Sequence, residues 1–94
     1  MGIIRLSGHI DVPPDRLAAV SAALPEHIRL TLAEPDCLGF DVTPDGTLPG
    51  RFQVRESFAS RAGFDAHQAR AGASAWARVT AGIPRDYQIT EDDA

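Results

Sequence analysis

The chain has 94 residues, 44% of them apolar and 23% charged, and a net charge of −4. That is one domain's worth of polymer, too short for two cores and too apolar for disorder. All nine basic residues are Arg, scattered from Arg5 to Arg85 and outnumbered by thirteen acids; an acidic chain without a basic run argues against nucleic acid as a partner.

The single Cys37 can form no intramolecular disulfide and supplies no thiol pair for zinc or redox chemistry. The three His are widely spaced and match no metal-binding signature, so no metal is expected. Residues 1–6 lack the charged and apolar regions of a secretory signal. No stretch approaches the roughly 18 apolar residues of a membrane span. The expectation is a cytoplasmic protein with no membrane contact.

Along the chain, Ile4, Leu6, Gly8, Ile10 and Val12 share one parity, and Arg5, Ser7, His9 and Asp11 share the other. This predicts a strand with one apolar face. Pro13-Pro14 ends it, and Asp15 then stands where the positive end of a helix favours an anion. Leu17, Val20, Leu24 and Ile28 recur at helical spacing. Pro25 removes a backbone donor and crowds Ser21, which predicts a kink or break near Leu24, with helix resuming to about Ala33. His27, beside Pro25-Glu26, is expected to be exposed.

Leu38, Phe40 and Val42 alternate as a second strand. The turn-rich stretch from Thr43 to Gly50 leads into a third, with Phe52, Val54, Glu56 and Phe58 on one side, and the two strands form a hairpin. Ser60 suits the N-cap of a helix carrying Phe64, His67, Gln68 and Ala71, which Gly72 breaks. Ser74 recaps a short helix holding Trp76, Val79 and Thr80, and Gly82-Ile83-Pro84 ends it. Arg85, Tyr87 and Ile89 alternate as a fourth strand. Residues 1–90 read as the ordered core of a single domain over 1–94, and 91–94 as an acidic tail.

The order βαββαβ predicts an α+β, ferredoxin-like layer: a four-stranded antiparallel sheet with helices on one face. The other face has no helix to cover it. A second copy packing sheet against sheet is the expected cover, giving a homodimer.

Glu56 is the residue most at odds with its surroundings, because its parity aims it into apolar space. A buried carboxylate needs a partner or keeps its proton, and a raised pKa suits proton transfer. The alternative is a structural ion pair with Arg or His. His67, three residues after Phe64, points inward toward the same region, and an imidazole beside a carboxyl group is a general base at neutral pH. A satisfied core histidine is its alternative. Trp76 and Tyr87 have aromatic bodies and polar tips that suit a pocket wall, and Phe40, Phe52 and Phe64 are further wall candidates or plain core. Arg70 or Arg85 could hold an anionic oxygen.

The segment Ala33-Glu34-Pro35-Asp36-Cys37-Leu38-Gly39-Phe40-Asp41-Val42 resembles the AEPGC-x-x-F/Y-x-V stretch of the antibiotic biosynthesis monooxygenase family. Phe52-Gln53-Val54-Arg55-Glu56-Ser57-Phe58, followed by Phe64-Asp65-Ala66-His67, resembles that family's F-x-V-x-E-x-(F/W) and A-F/L-x-x-H hallmarks. Ser74-Ala75-Trp76 and Arg85-Asp86-Tyr87 fit a subset of such sequences. The resemblance implies a dimeric α/β barrel. It also implies chemistry like that of quinol and anthrone monooxygenases, which oxidise a small aromatic substrate with dioxygen and use no cofactor. It places His67 and Glu56 at the family's His and Glu. Two departures stand out: Asp36 replaces the Gly of the turn, and the chain has no Asn. Haem-degrading relatives rely on an Asn–Trp–His set, so haem degradation is not expected. A ligand-binding module without catalysis, or an isomerase or lyase of aromatic-derived compounds, are the other readings for this barrel.

Overall fold

A computed structural model describes residues 2–93. In chain order it contains β1 (Gly2–Asp11), a 3-10 turn (Pro14–Arg16), α1 (Leu17–Leu32), β2 (Cys37–Pro44), β3 (Arg51–Phe58), α2 (Arg61–Gly72), α3 (Ala75–Val79) and β4 (Arg85–Asp93). The strands form one sheet in the order β2-β3-β1-β4, antiparallel throughout. This is the α+β, ferredoxin-like arrangement that the strand and helix order predicts. Among the described residues, no helix is long and apolar enough to cross a membrane.

The predicted parity holds over β1, β3 and most of β2, but Leu38, beside a register shift between Cys37 and Gly39, and Ile89 of β4 are exposed. Ile4, Leu6 and Ile10 of β1, Phe40 and Val42 of β2, and Phe52, Val54 and Phe58 of β3 are all buried. They form one core with Val20 of α1, Phe64 of α2 and Trp76 of α3. Ser60 and Ser74 are N-caps as predicted: the first accepts from Gly63 N–H at 3.0 Å and the second from Ala77 N–H at 3.4 Å.

Three local expectations are corrected. Pro25 lies inside a continuous α1, with no break near Leu24. Pro25 and Ser21 both face solvent, where water can take the carbonyl that the missing N–H leaves free. Because the helix does not break, the stripe from Val20 and Leu24 runs on at the same phase to His27 and Thr31. His27 is therefore buried, at 5% exposure, and not on the surface. At the other end, β4 pairs with β1 as far as Gly2 opposite Asp93, so order extends beyond residue 90 into the stretch read as a tail; Ala94 lies outside the described residues.

The face of the sheet away from the helices is polar. Arg5, Ser7, Asp11, Asp41, Gln53 and Arg55 all stand exposed on it. Arg51 pairs there with Asp11 at 2.7 Å. The strain point of the sheet is Gly8, where a Cβ would fall 2.0 Å from the Asp86 carbonyl oxygen, so only glycine lets β4 approach this closely.

Candidate active site

Glu56 lies at the centre of the sheet, opposite Leu6 on β1 and Phe40 on β2. Its side chain points to the helix face and is 8% exposed. α2 crosses above it. Ser60 fixes the start of that helix, and three-residue steps from Phe64 bring His67 down onto the same spot. His67 is 3% exposed, and its ring packs on Phe58 with centroids 4.9 Å apart.

Each nitrogen of His67 faces a carboxyl group. Nδ1 is 2.9 Å from Oε1 of Glu34, and Nε2 is 3.7 Å from Oε1 of Glu56. An ionised Glu34 can only accept, so Nδ1 carries the proton and the Nε2 lone pair faces Glu56. Glu34 sits in the turn between α1 and β2, where its other oxygen accepts from Arg70 Nε at 2.6 Å. Arg70 Nη2 donates onward to Thr31 Oγ1 at 2.9 Å. This is the arrangement of a base oriented by a carboxylate.

Burial sets the charges. Removal from water pushes the Glu56 carboxyl up to about 7, and the negative Glu34 nearby adds to the rise. Burial lowers His67 below its usual value, an effect that Glu34 only partly opposes. His27 is pushed down to about 4 by burial and by the neighbouring His67, Arg70 and Arg85. It is thus a neutral imidazole at pH 7. Tyr87 is pushed up to about 12, mainly by burial, so its phenol stays a proton donor.

These groups surround a cavity of about 290 Å³ between sheet and helices. Its wall includes Glu56, His67, Trp76, Tyr87, Arg85 and His27. Trp76 and His27 stack almost parallel, with centroids 4.7 Å apart and planes at 4°. The short α3 that carries Trp76 is held by two guanidinium groups. Arg16 donates to the carbonyls of Val79 and Ala81, and Arg85 donates to those of Thr80 and Ile83. Two polar atoms of the wall residues, His27 Nδ1 and Glu56 Oε1, are buried without a hydrogen-bond partner.

The sequence candidates therefore separate. Glu56, His67, Trp76 and Tyr87 meet at one cavity. Phe40 stands behind it, 5.2 Å from the His27 ring and 5.8 Å from the His67 ring. Phe52 and Phe64 belong to the core and do not line the cavity. Arg70 lines a different recess, on the far side of His67, because a three-residue step along α2 turns it toward Glu34. Arg85 lines the cavity, but it also spends its guanidinium on the end of α3. Glu34 and His27 escaped the sequence reading. The helical phase of α1, carried past Pro25, would have found His27. No spacing rule ties Glu34 to His67, 33 residues away.

Among curated proteins none matches the sequence. Several solved structures match the fold. A candidate antibiotic biosynthesis monooxygenase from Nitrosomonas europaea superimposes with a TM-score of 0.83 at 23% identity, covering 97% of this chain and 91% of its own. Another candidate monooxygenase of that name, from Caulobacter crescentus, gives 0.77 at 23% identity over 99% and 92%. A conserved protein from Methanosarcina mazei gives 0.78 at 16% identity over 99% and 95%. At these identities the likeness speaks for the fold alone. The sequence model of one family, antibiotic biosynthesis monooxygenase, matches residues 3–79. With β2, β3, the site-bearing α2, α3 and all but the first residue of β1 inside that match, and only β4 beyond it, the chain belongs to the antibiotic biosynthesis monooxygenase family.

Proposed function

We propose that the chain is a monooxygenase that oxidises a small aromatic quinol- or anthrone-like substrate with dioxygen and without a cofactor. The observation that carries this reading is the buried Glu56–His67 pair on the wall of a cavity lined by Trp76 and Tyr87. The Glu56 carboxyl, pushed up to about 7, is an acceptor matched to a phenolic proton, and the Nε2 lone pair of the neutral His67 imidazole stands beside it to take that proton on. Removing that proton makes the substrate electron-rich enough to reduce dioxygen itself. For an anthrone, a CH2 group becomes C=O; one oxygen atom enters the product and the other leaves as water. Four electrons pass from substrate to dioxygen, so no outside reductant is required.

Tyr87, still protonated, would donate to the oxyanion that develops on the substrate. Trp76 would supply the flat wall. A cavity of about 290 Å³ is at the lower edge of the range of ligand sites, about 300–1,000 Å³, which suits a small aromatic molecule. A homodimer is part of the same reading. The open sheet face carries Arg5 and Arg55 alongside Asp11 and Asp41, charges of both signs that a two-fold partner can match. Ion pairing, and not apolar burial, would then hold the copies together.

The test is oxygen consumption by metal-stripped protein with an anthrone or a hydroquinone. Turnover above buffer autoxidation is expected, reduced on the order of 100-fold or more in His67→Ala. Equal rates in wild type and variant would remove the reading. The same acid–imidazole pair could instead move a proton within a substrate, and turnover under strictly anaerobic conditions would identify that isomerase or lyase chemistry.

A further inference from the structure

His67 is a partition between two spaces. On one side lies the cavity with Glu56; on the other lies a second recess of about 400 Å³, whose wall includes Glu34, Asp36, Gly63, Ala66 and Arg70. His67 itself lines both. Its two nitrogens address the two sides separately, Nε2 toward Glu56 and Nδ1 toward Glu34. The carboxyl groups come from different parts of the chain, the centre of β3 and the turn after α1, and the ring faces both of them. Glu34 keeps 16% of its side chain exposed, whereas Glu56 keeps 8%.

We propose that Glu34 and the recess beside it are the proton outlet of the site, with His67 handing the proton across from Glu56. The proposal deepens the monooxygenase reading and rests on it for the origin of the proton. A substrate filling the cavity would cover Glu56 on its open side, so a proton accepted there needs a route that does not pass the substrate. In balanced form, the substrate O–H gives its proton to the Glu56 carboxylate. Glu56 passes that proton to Nε2 of His67 while Nδ1–H passes its own to Glu34. Glu34 releases it to water in the recess. Transfer back of a proton from Nε2 to Nδ1, by the reverse tautomer shift or a ring flip, restores the starting state. The 3.7 Å gap at Nε2 must shorten to hydrogen-bond distance once substrate is bound, a tightening common in active sites.

Glu34 is thus a positioning residue for His67 that also accepts a proton, and a test must separate the two roles. Glu34→Gln keeps an oxygen for Nδ1–H but cannot take the proton. In ¹⁵N-labelled, substrate-free protein, exchange of the His67 Nδ1 proton with water is read by NMR. It should slow by roughly tenfold or more in Glu34→Gln, recover in the presence of formate, and stay near wild type in Glu34→Asp. Exchange as fast in Glu34→Gln as in wild type would overturn the outlet. Should Glu34→Gln fail to fold, Ala66→Leu decides: it fills the recess from an exposed helix position and leaves Glu34 in place. Slowed exchange supports the outlet and unchanged exchange overturns it. Because this readout needs no turnover, it succeeds or fails independently of the anthrone assay. Where turnover is found, Glu34→Gln should lower kcat with KM unchanged, and formate should restore it; unaltered kcat would also overturn the outlet.

Discussion

Replacing Glu56 by Gln tests the electrostatics of the site without changing its shape. In the unfolded chain the carboxyl titrates near 4.5, and in the folded protein burial moves it to about 7. The folded state therefore holds a proton that the unfolded state has released between those two values. Stability falls as pH rises through that window, because the folded chain must either keep its proton or bury a charge. At about 1.4 kcal/mol per pH unit, the full loss is about 3 kcal/mol. Gln makes no such demand. Urea unfolding at fixed protein concentration should show Glu56→Gln close to wild type at pH 4.5 and more stable by about 2–3 kcal/mol at pH 8. In melting temperature that gap is on the order of 15 °C for a domain this size. Two parallel pH–stability curves would refute the reasoning. A variant that loses ground at pH 8 would refute it more strongly, since it would mean that Glu56 is held ionised by a charged His67.

His27→Phe keeps an aromatic ring against Trp76 and removes the opposite titration. His27 is held neutral down to about 4, so its contribution is present above 6.5 and is lost as pH falls through 4. The variant should be less sensitive to acid than wild type by about 3 kcal/mol, and fluorescence of Trp76, the chain's one Trp, follows the transition. Glu34→Ala strips both His67 Nδ1 and Arg70 Nε of their acceptor and should cost about 2–3 kcal/mol in urea unfolding, whereas an unchanged midpoint would mean that water replaces the carboxylate. Gly8→Ala drives a methyl group into the Asp86 carbonyl and should cost roughly 2 kcal/mol or more, with hydrogen exchange accelerated along β4 first; protection of β4 equal to wild type would count against the close approach at Gly8.

β1, β2 and β3 were legible because each has one buried face, and a period of two is visible in residues such as Ile4, Leu6 and Ile10 or Phe52, Val54 and Phe58. The inward aim of Glu56 followed from the same count, and that of His67 from its helical spacing to Phe64. What the pattern did not carry was anything dependent on continuity or long-range closure. Pro25 reads locally as a breaker, yet α1 packs along its whole length and tolerates one lost hydrogen bond on its wet side. That single misjudgement hid His27 and with it the stacked wall. Glu34 reaches His67 only after the turn following α1 has been laid beside α2, a contact fixed by tertiary packing. Arg70 was placed by nearness in sequence, while a fraction of a helical turn puts it on the opposite side of the imidazole.

The two guanidinium clips on α3 have a consequence for how the molecule meets a change in acidity. Arg16 and Arg85 grip main-chain carbonyls, acceptors that carry no titrating group. Inside that frame, Glu56 and His27 each change charge within a few units of neutrality. The indole-bearing segment can thus hold its position while the interior beneath it is recharged, like a window frame that stays square as the pane is swapped.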